Sequence, residues 1–321
     1  MISLKRLSDF EDLGKNRLPV FSPFQSVWYQ KVFAHHFSTP DTIIILGVYE
    51  DETLICYGIF EKMDKTAIFL GMKKILGNQE VTDYGDIIYE PAYSDRLGDI
   101  WSLITEYFKQ EDYDLLQLDY MRRDSLSYSI LHNENKESEL KSISPYIDLP
   151  FNWEDYLNKL DRKNRHELKR KLKRIAQEEH EYSCYENPND ELFNEFVRLQ
   201  RLSSEEKKHF MTKEMKSFFY DLIKNNDIEW KTKLCFLKIK GKNAACLMTF
   251  ENDKKVLVYN SGFDPEFKYY SVGLVLHVLK IQQSIGLGKN IYDFLRGSER
   301  YKYDLGGKDC QLEKFNIRLR K

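Results

Sequence analysis

Tyr259-Asn-Ser-Gly-Phe-Asp-Pro-Glu-Phe-Lys-Tyr-Tyr-Ser-Val-Gly-Leu274 joins two apolar patterns of different period. Before it, Val256 to Gly262 reads as a strand. After it, Ser271 to Ile285 reads as a helix, with Leu274, Val275, Val278, Leu279 and Ile281 on its inner side. Ser271 is the predicted N-cap and Gly273 lies in the first turn. The unpaired amides and the positive end of the helix dipole then face whatever sits there, and a glycine allows an anion such as a diphosphate to come close. A capped helix with a permissive glycine has the same spacing, so spacing alone does not assign a ligand.

Working outward, Lys233 to Lys240 and Ala244 to Glu251 read as two more strands, separated by the turn Lys240-Gly241-Lys242-Asn243 and followed by the turn at Asn252-Asp253. Asn290 to Leu295 is a strand beyond the helix, and Phe315 to Leu319 alternates as a final one. The first half has the same order: strands at Thr42 to Glu50, Leu54 to Lys62 and Lys65 to Gly71, a helix at Asp95 to Lys109, and a strand at Asp114 to Tyr120. Direct matching shows no repeat, yet β-β-β-α-β occurs twice. A meander is antiparallel, and a crossover helix lets the next strand run parallel to its predecessor. The expected class is therefore α+β, with two tandem halves, each a mixed, mostly antiparallel sheet flanked by helices. The expected domains are residues 1–150 and 151–321, and ligands favour edges where such a sheet splays.

The 321 residues are 42% hydrophobic and 31% charged, which suits a folded chain and not a disordered one. No apolar run approaches the roughly 18 residues of a membrane span, and the N-terminus lacks a secretory pattern, so no integral membrane association and a cytoplasmic location are expected. The five cysteines are odd in number and widely spaced, without a C-x-x-C pair. They are read as reduced buried thiols, and no metal site is expected. His35, His36 and His277 have no partners at ligand spacing and are read as structural or surface residues.

The net charge of −2 hides an uneven distribution. Arg162 to Arg174 holds eight Lys/Arg and one Glu, which leaves −9 for the rest of the chain. Helical spacing is predicted over 153–179, with Leu168, Leu172 and Ile175 on one stripe and Arg162, His166, Lys169 and Lys173 on another. Only Glu167 offers an i+4 acid, to Lys163 or Lys171. Unrelieved repulsion of this kind points to an anionic partner, although a solvated basic face is the ordinary alternative.

Several segments together resemble a known family. Ser271-Val-Gly-Leu-Val-Leu276 followed by Tyr292-Asp-Phe-Leu-Arg-Gly-Ser-Glu-Arg-Tyr-Lys-Tyr303 is similar to the GNAT-type acetyltransferases labelled CelD-like, named for cellulose biosynthesis. Tyr146-Ile-Asp-Leu149, Trp153-Glu-Asp-Tyr156 and Arg162-Lys-Asn-Arg-His-Glu-Leu-Lys-Arg-Lys-Leu172 match its middle region, and Thr82-Asp-Tyr-Gly-Asp86 its first half. The resemblance implies tandem GNAT-like halves, architecturally akin to Fem-type aminoacyltransferases, with acetyl-CoA or another acyl-CoA bound by the second half only. It places the donor at Gly262, Phe263, Tyr270, Ser271, Val272, Gly273 and Leu274. In Fem-type relatives a comparable basic segment contacts the acceptor, which makes Arg165 and Lys169 acceptor candidates; Arg162 and Arg296 are added to them.

Acyl transfer from a thioester needs a donor cradle, a polarised carbonyl, a base for the attacking amine or hydroxyl, and an acid for the departing thiolate. A backbone amide within 260–263 is the expected polarising group. Glu299 is the candidate base, Tyr301 or Tyr303 the candidate acid, and Lys302 a holder of an anionic group or a neutraliser of Glu299. Asp293, in an apolar strand, needs a partner, for which Arg296 is one choice. The expected activity is N- or O-acyl transfer, acetyl first, to an anionic or sugar-containing acceptor of the cell envelope or of polysaccharide synthesis. The alternatives are a Fem-type aminoacyltransferase that uses aminoacyl-tRNA, and a non-catalytic binding protein on this scaffold.

Overall fold

The computed structural model describes residues 1–13, 18–134, 137–225 and 227–320. In chain order the elements are β1 (Ile2–Leu7), α1 (Val27–Phe37), β2 (Ile43–Glu50), β3 (Thr53–Met63), β4 (Thr66–Phe69), β5 (Ile88–Tyr89), α2 (Leu97–Gln110), β6 (Leu115–Arg122) and α3 (Leu126–Asn133). Then come β7 (Ser138–Asp148), α4 (Trp153–Lys159), α5 (Arg162–Ile175), β8 (His180–Tyr185), α6 (Asp190–Leu202), α7 (Glu205–Phe210) and α8 (Lys213–Lys224). The chain ends with β9 (Lys231–Ile239), β10 (Lys242–Glu251), β11 (Lys255–Phe263), α9 (Val272–Gly286), β12 (Ile291–Asp293), α10 (Arg300–Asp304) and β13 (Lys308–Arg318).

The molecule divides into two units, Met1–Ile143 with Cys310–Lys321, and Ser144–Asp309. The last strand belongs to unit 1 because β13 pairs with β6 through Leu312–Arg318. In unit 1 the strand order is β1-β2-β3-β4-β6-β13, with β5 also on β3. Among the described residues of this unit, β4 and β6 are the pair that runs parallel, joined across α2. In unit 2 the order is β7-β12-β11-β10-β9-β8, and only β11 and β12 run parallel, joined across α9. The α+β class, with mixed and mostly antiparallel strands flanked by helices, is what the doubled element order implies.

Unit 2 has helices on both faces of its strands, which explains why β10 is buried almost without a break rather than alternating. Leu168 and Ile175 of α5 join Ala245 and Leu247 of β10 and the apolar side of α9 in one core. Val275, Leu276, Val278 and Ile281 of α9 are fully buried there. On the opposite side, α6 and α8 supply Phe196, Phe218 and Phe219, also fully buried.

Two local expectations are corrected. The basic segment is two helices, not one over 153–179. Asp161 is extended and its side chain accepts from the Asn164 amide at 2.9 Å, which starts α5 afresh, and the chain becomes strand again at His180. Cys184 and Cys235 form a disulfide, because the β8–β9 register sets them directly opposite. Cys56, Cys246 and Cys310 are buried thiols outside the disulfide, and Cys310 donates to Asp124 at 3.6 Å. Glu167 pairs with Lys171 at 3.4 Å, one of its two expected partners, and also with Arg170 at 2.6 Å.

Candidate functional site

In unit 2 the β11–β12 pairing covers only Lys255–Leu257 against Ile291–Asp293. Beyond Leu257, β11 has a strand partner on one side only, β10. A register shift there makes Tyr259 an extra residue, since Met248 faces Asn260 while Thr249 faces Val258. Such bulges bend a strand and re-aim its amides. The chain leaves β11 through a 3-10 turn, Pro265–Tyr270, that begins on Asp264, whose side chain accepts from the Glu266 amide at 3.0 Å.

Ser271 is not the N-cap its sequence promised. It lies in the left-handed region (φ 53°, ψ 44°), and its side chain makes no capping bond. The reason is geometric: the 3-10 turn runs up to Tyr270, and one left-handed residue is needed to redirect the chain into α9. The amides of Val272, Gly273 and Leu274 come before the first helical bond, Val275 N to Ser271 O at 3.0 Å, so they are the donors a helix start leaves over.

These amides border a cleft of about 360 Å³ lined by Ser261, Gly262 and Phe263 of β11, Ser271 to Leu274, Lys268, His277 and Tyr301. Its size is within the usual range for small-ligand sites. Gly262, Phe263, Ser271, Val272, Gly273 and Leu274 therefore come together as the donor reading requires. Tyr270 does not line the cleft; its hydroxyl donates to Glu178 at 2.6 Å. Gly262 has a packing role as well: a Cβ there would lie 2.4 Å from the Gln200 amide nitrogen, so α6 can approach β11 only over a glycine. At Gly273 a Cβ would make an ordinary 3.7 Å contact with Phe263.

The candidate chemical residues divide into two groups. Tyr301 lines the cleft, and burial, followed by the Glu299 carboxylate, raises its phenol above the ordinary value, so it stays protonated. Tyr303 instead donates to Asp309 at 2.8 Å. Lys302 is buried, and its ammonium donates to the carbonyls of Leu295, Arg296 and Gly297 at 3.0, 2.7 and 3.1 Å and meets Glu299 at 3.0 Å. Those contacts use its donors to fix the loop. Asp293 accepts from Ser144 Oγ at 3.2 Å and from the Leu295 amide at 2.8 Å, which steadies Leu295 at φ 58°. Glu299 precedes α10 and is more than half exposed.

Three residues outside the sequence-based set belong to this region. His277 is buried in the cleft wall, with Nδ1 2.9 Å from the Tyr292 hydroxyl. Burial, then the charges of Lys302 and Lys207, depress its pKa to about 3, so it is neutral at physiological pH. Its position four residues after Gly273, on the same helix face, was the available signal. Ser203 Oγ accepts from the Phe263 amide at 2.8 Å, and Lys207 donates to Ser261 O at 2.5 Å. Burial lowers the Lys207 pKa, opposed by Cys246 and Glu299.

A second concavity, about 1000 Å³, is lined by Arg162, Arg165 and Lys169 of α5 together with Arg300 and Asp304 of α10. Arg300 thus joins the predicted cations. Arg296 is not among the residues that line it. No helix among the described residues is long and apolar enough to cross a membrane.

Residues 162–303 match the profile of the acetyltransferase (GNAT) domain. No curated protein sequence matches the chain. Among solved structures, FemX superposes with a TM-score of 0.66 at 11% identity, covering 98% of this chain and 97% of that one. L-PGS from Bacillus licheniformis gives 0.57 at 10% identity over 92% and 93%. A tandem GNAT protein from the clavulanic acid biosynthesis pathway gives 0.50 at 10% identity over 100% and 99%. At such identities the likeness is one of fold: tandem GNAT-like halves.

Proposed function

We propose that the chain is an acyltransferase of the CelD-like kind, which moves an acyl group, acetyl first, from acyl-CoA to an amine or hydroxyl of an anionic or sugar-containing acceptor. The observation that carries this reading is the cleft between the free edge of β11 and the uncapped start of α9. The amides of Val272, Gly273 and Leu274 would hold the donor's diphosphate, helped by the dipole. Val272, Leu274, Leu247 and Phe263 give the cleft an apolar wall for the rest of the arm. Acyl-CoA, when bound, supplies an activated thioester.

The chain's own groups supply the remainder. The Tyr301 hydroxyl is protonated and donates to the departing sulfur. The Lys207 ammonium, seated on Ser261, is a cation at the end of β11 and favours negative charge that develops beside it. Neutral His277 orients the wall through Tyr292. Glu299, more than half exposed beside the buried Lys302 ammonium, is the group we assign to accept the acceptor's proton. Lys302 and Asp293 position the loop that carries it. Arg162, Arg165, Lys169 and Arg300 bind the acceptor's anionic part.

Tyr301→Phe should lower kcat by about 100-fold with little change in the KM for acetyl-CoA; an unchanged kcat removes Tyr301 from the reaction. The donor is tested by calorimetric titration with acetyl-CoA and with tRNA. The fold likeness to FemX and the cationic α5 favour a second reading, transfer from aminoacyl-tRNA. That reading predicts tRNA binding that weakens steeply with salt, and no acetyl-CoA binding.

A further inference from the structure

The face of α9 that begins at Gly273 and passes His277 continues one turn on to Lys280. Lys280 is 1% exposed and Glu251, its partner, 2%. The Lys280 ammonium lies 2.5 Å from Glu251 Oε1, 3.0 Å from Gln283 Oε1 and 3.6 Å from the Cys184 sulfur. None of these groups takes part in the proposed acyl transfer. Cys184 is bonded to Cys235 in the adjoining strand. It sits on β8, a six-residue strand at the end of the unit 2 order, and is partly exposed, whereas Cys235 is fully buried.

We propose that Cys184–Cys235 is a thiol–disulfide exchange site, with Cys184 as the exchanging sulfur and Lys280 as the cation that stabilises its thiolate. Thiolates are the reactive form of cysteine, and a neighbouring ammonium favours them. The groups that face Cys184 are Lys280 from α9, Glu251 from β10, and Cys235 from β9, with Lys233 of β9 at 3.8 Å from Glu251 Oε2 and Tyr182 two residues away on β8. Lys233 is shared between Glu251 and Glu186, which it meets at 3.5 Å, and Lys280 is the cation that lies against both Glu251 and the Cys184 sulfur. Sulfur and carboxylate atoms of Cys184, Cys235 and Glu251 do lie within 4.8 Å of one another. The same two lysines make that cluster a poor host for a divalent metal ion and a good one for a thiolate.

The exchange balances with a small dithiol as reductant. Its thiolate attacks the sulfur of Cys184, the partly exposed residue of the pair, the disulfide breaks, and the electron pair leaves on Cys235, which takes up a proton. The second thiol of the reductant then displaces Cys184 as a thiolate opposite Lys280, and the reductant departs as a cyclic disulfide. Reoxidation by a small disulfide runs the same steps backwards. Backbone pairing from His180 to Tyr185 against Leu234 to Ile239 holds the strands while the sulfurs separate.

The test uses the full folded chain and does not depend on the acyltransferase reading. The protein is equilibrated in dithiothreitol buffers of graded ratio, alkylated, and mapped by peptide mass spectrometry. Cys184 and Cys235 should pass together from linked to alkylated without denaturant, while the buried Cys56, Cys246 and Cys310 stay unmodified. In Cys235→Ser the remaining Cys184 should alkylate at pH 7 roughly tenfold faster than in Cys235→Ser with Lys280→Met, and Lys280→Arg should keep most of the rate. Where Lys280→Met does not fold, the pH–rate profile of Cys235→Ser decides, with a midpoint below the ordinary thiol value of about 8.5 expected. A pair that opens only in denaturant, or a Cys184 with ordinary rate and midpoint, overturns the proposal.

Discussion

The same corner is built twice in this chain, once in each unit, and the two differ by one residue and by what fills the space beside it. In unit 1, Glu90-Pro91 opens a 3-10 turn that reaches Arg96 and passes straight into α2 at Leu97, with Gly98 in the first turn. In unit 2, Asp264-Pro265 opens a turn of the same length that reaches Tyr270, but Ser271 is added in the left-handed region before α9 begins at Val272. The start of α2 is acidic: Asp99 lies in its first turn, and Arg96 is held by Asp99 at 3.1 Å and Glu50 at 3.6 Å. The first turn of α9 has no acid, and Lys268 stands at its cleft. Beyond the end of β4 in unit 1, β5 continues along β3, and the Gly85 amide bonds Tyr120 O at 3.1 Å, so the chain itself occupies the splay. Beyond Leu257 in unit 2, no strand among the described residues does. A duplicated scaffold thus yields one open gap and one closed gap, and only the open one has a start of helix suited to an anion.

The largest effect expected from this contrast is on donor binding. Gly273→Glu places a carboxylate in the cleft without a backbone clash, since a Cβ there makes only an ordinary contact. Acetyl-CoA affinity measured by calorimetry should fall by at least roughly 100-fold, about 3 kcal/mol. Gly98→Glu, at the matching place in α2, should leave it unchanged. Equal losses would mean that both corners bind the donor.

The glycines that close and open the two gaps give the next test, on stability. At Gly85 a Cβ would lie 2.5 Å from the Asp119 carbonyl oxygen, and at Gly262 it would lie 2.4 Å from the Gln200 amide nitrogen. Each clash is with backbone, which yields little. Gly85→Ala and Gly262→Ala should each destabilise by about 2–3 kcal/mol in urea unfolding. Of the two, only Gly262→Ala should also weaken donor binding, because it displaces α6 from the cleft strand. A stability loss under 1 kcal/mol at Gly85 would show that the segment plugging unit 1 is loosely held.

Much of this contrast was legible in the sequence. Alternating and helical periods placed β2 to β4, α2, β6, β9 to β11 and α9 within a few residues, because each buries a continuous apolar pattern. The strand-turn-helix segment marked Ser271 to Leu274 as a place for an anion, and the family resemblance added Gly262, Phe263 and Tyr270, of which Tyr270 does not line the cleft. What escaped reading depends on tertiary contact. Ser271 looks like an N-cap, but the preceding 3-10 turn dictates its conformation. Lys302 does meet Glu299, as one of its two expected roles required, but the carbonyls of Leu295, Arg296 and Gly297, brought round by the loop before α10, also take its donors. His277 shares a helix face with Gly273, four residues earlier, but which way that face turns is decided only by the packing of α9 against β11. The pairing of Cys184 with Cys235 is set by the register of β8, an edge strand too polar to announce itself.

The effect that separates the units most cleanly is the sign of their response to pH, read as a slope per pH unit rather than as a total loss. In the segment that plugs unit 1, burial raises the Asp86 pKa to about 6, against the lowering effect of bonds from Ser127, the Ile87 amide and Ser125. The folded chain then holds this proton more tightly than the unfolded chain, whose carboxyl titrates near 4. Its contribution is full below about pH 4 and is lost as pH rises to about 6. In unit 2 the pKa of His277 is depressed to about 3, so the unfolded chain binds the proton more tightly, and stability grows as pH rises from about 3 to about 6.5. The slope from either group cannot exceed about 1.4 kcal/mol per pH unit. Urea unfolding between pH 4 and 7 should show that Asp86→Asn makes the pH dependence more positive and His277→Gln makes it more negative. Each variant removes one slope and leaves the other, so parallel curves for wild type and either variant would show that the group concerned is solvated in the native state, and with it that the gap beside it is not the closed or walled space that distinguishes the two halves.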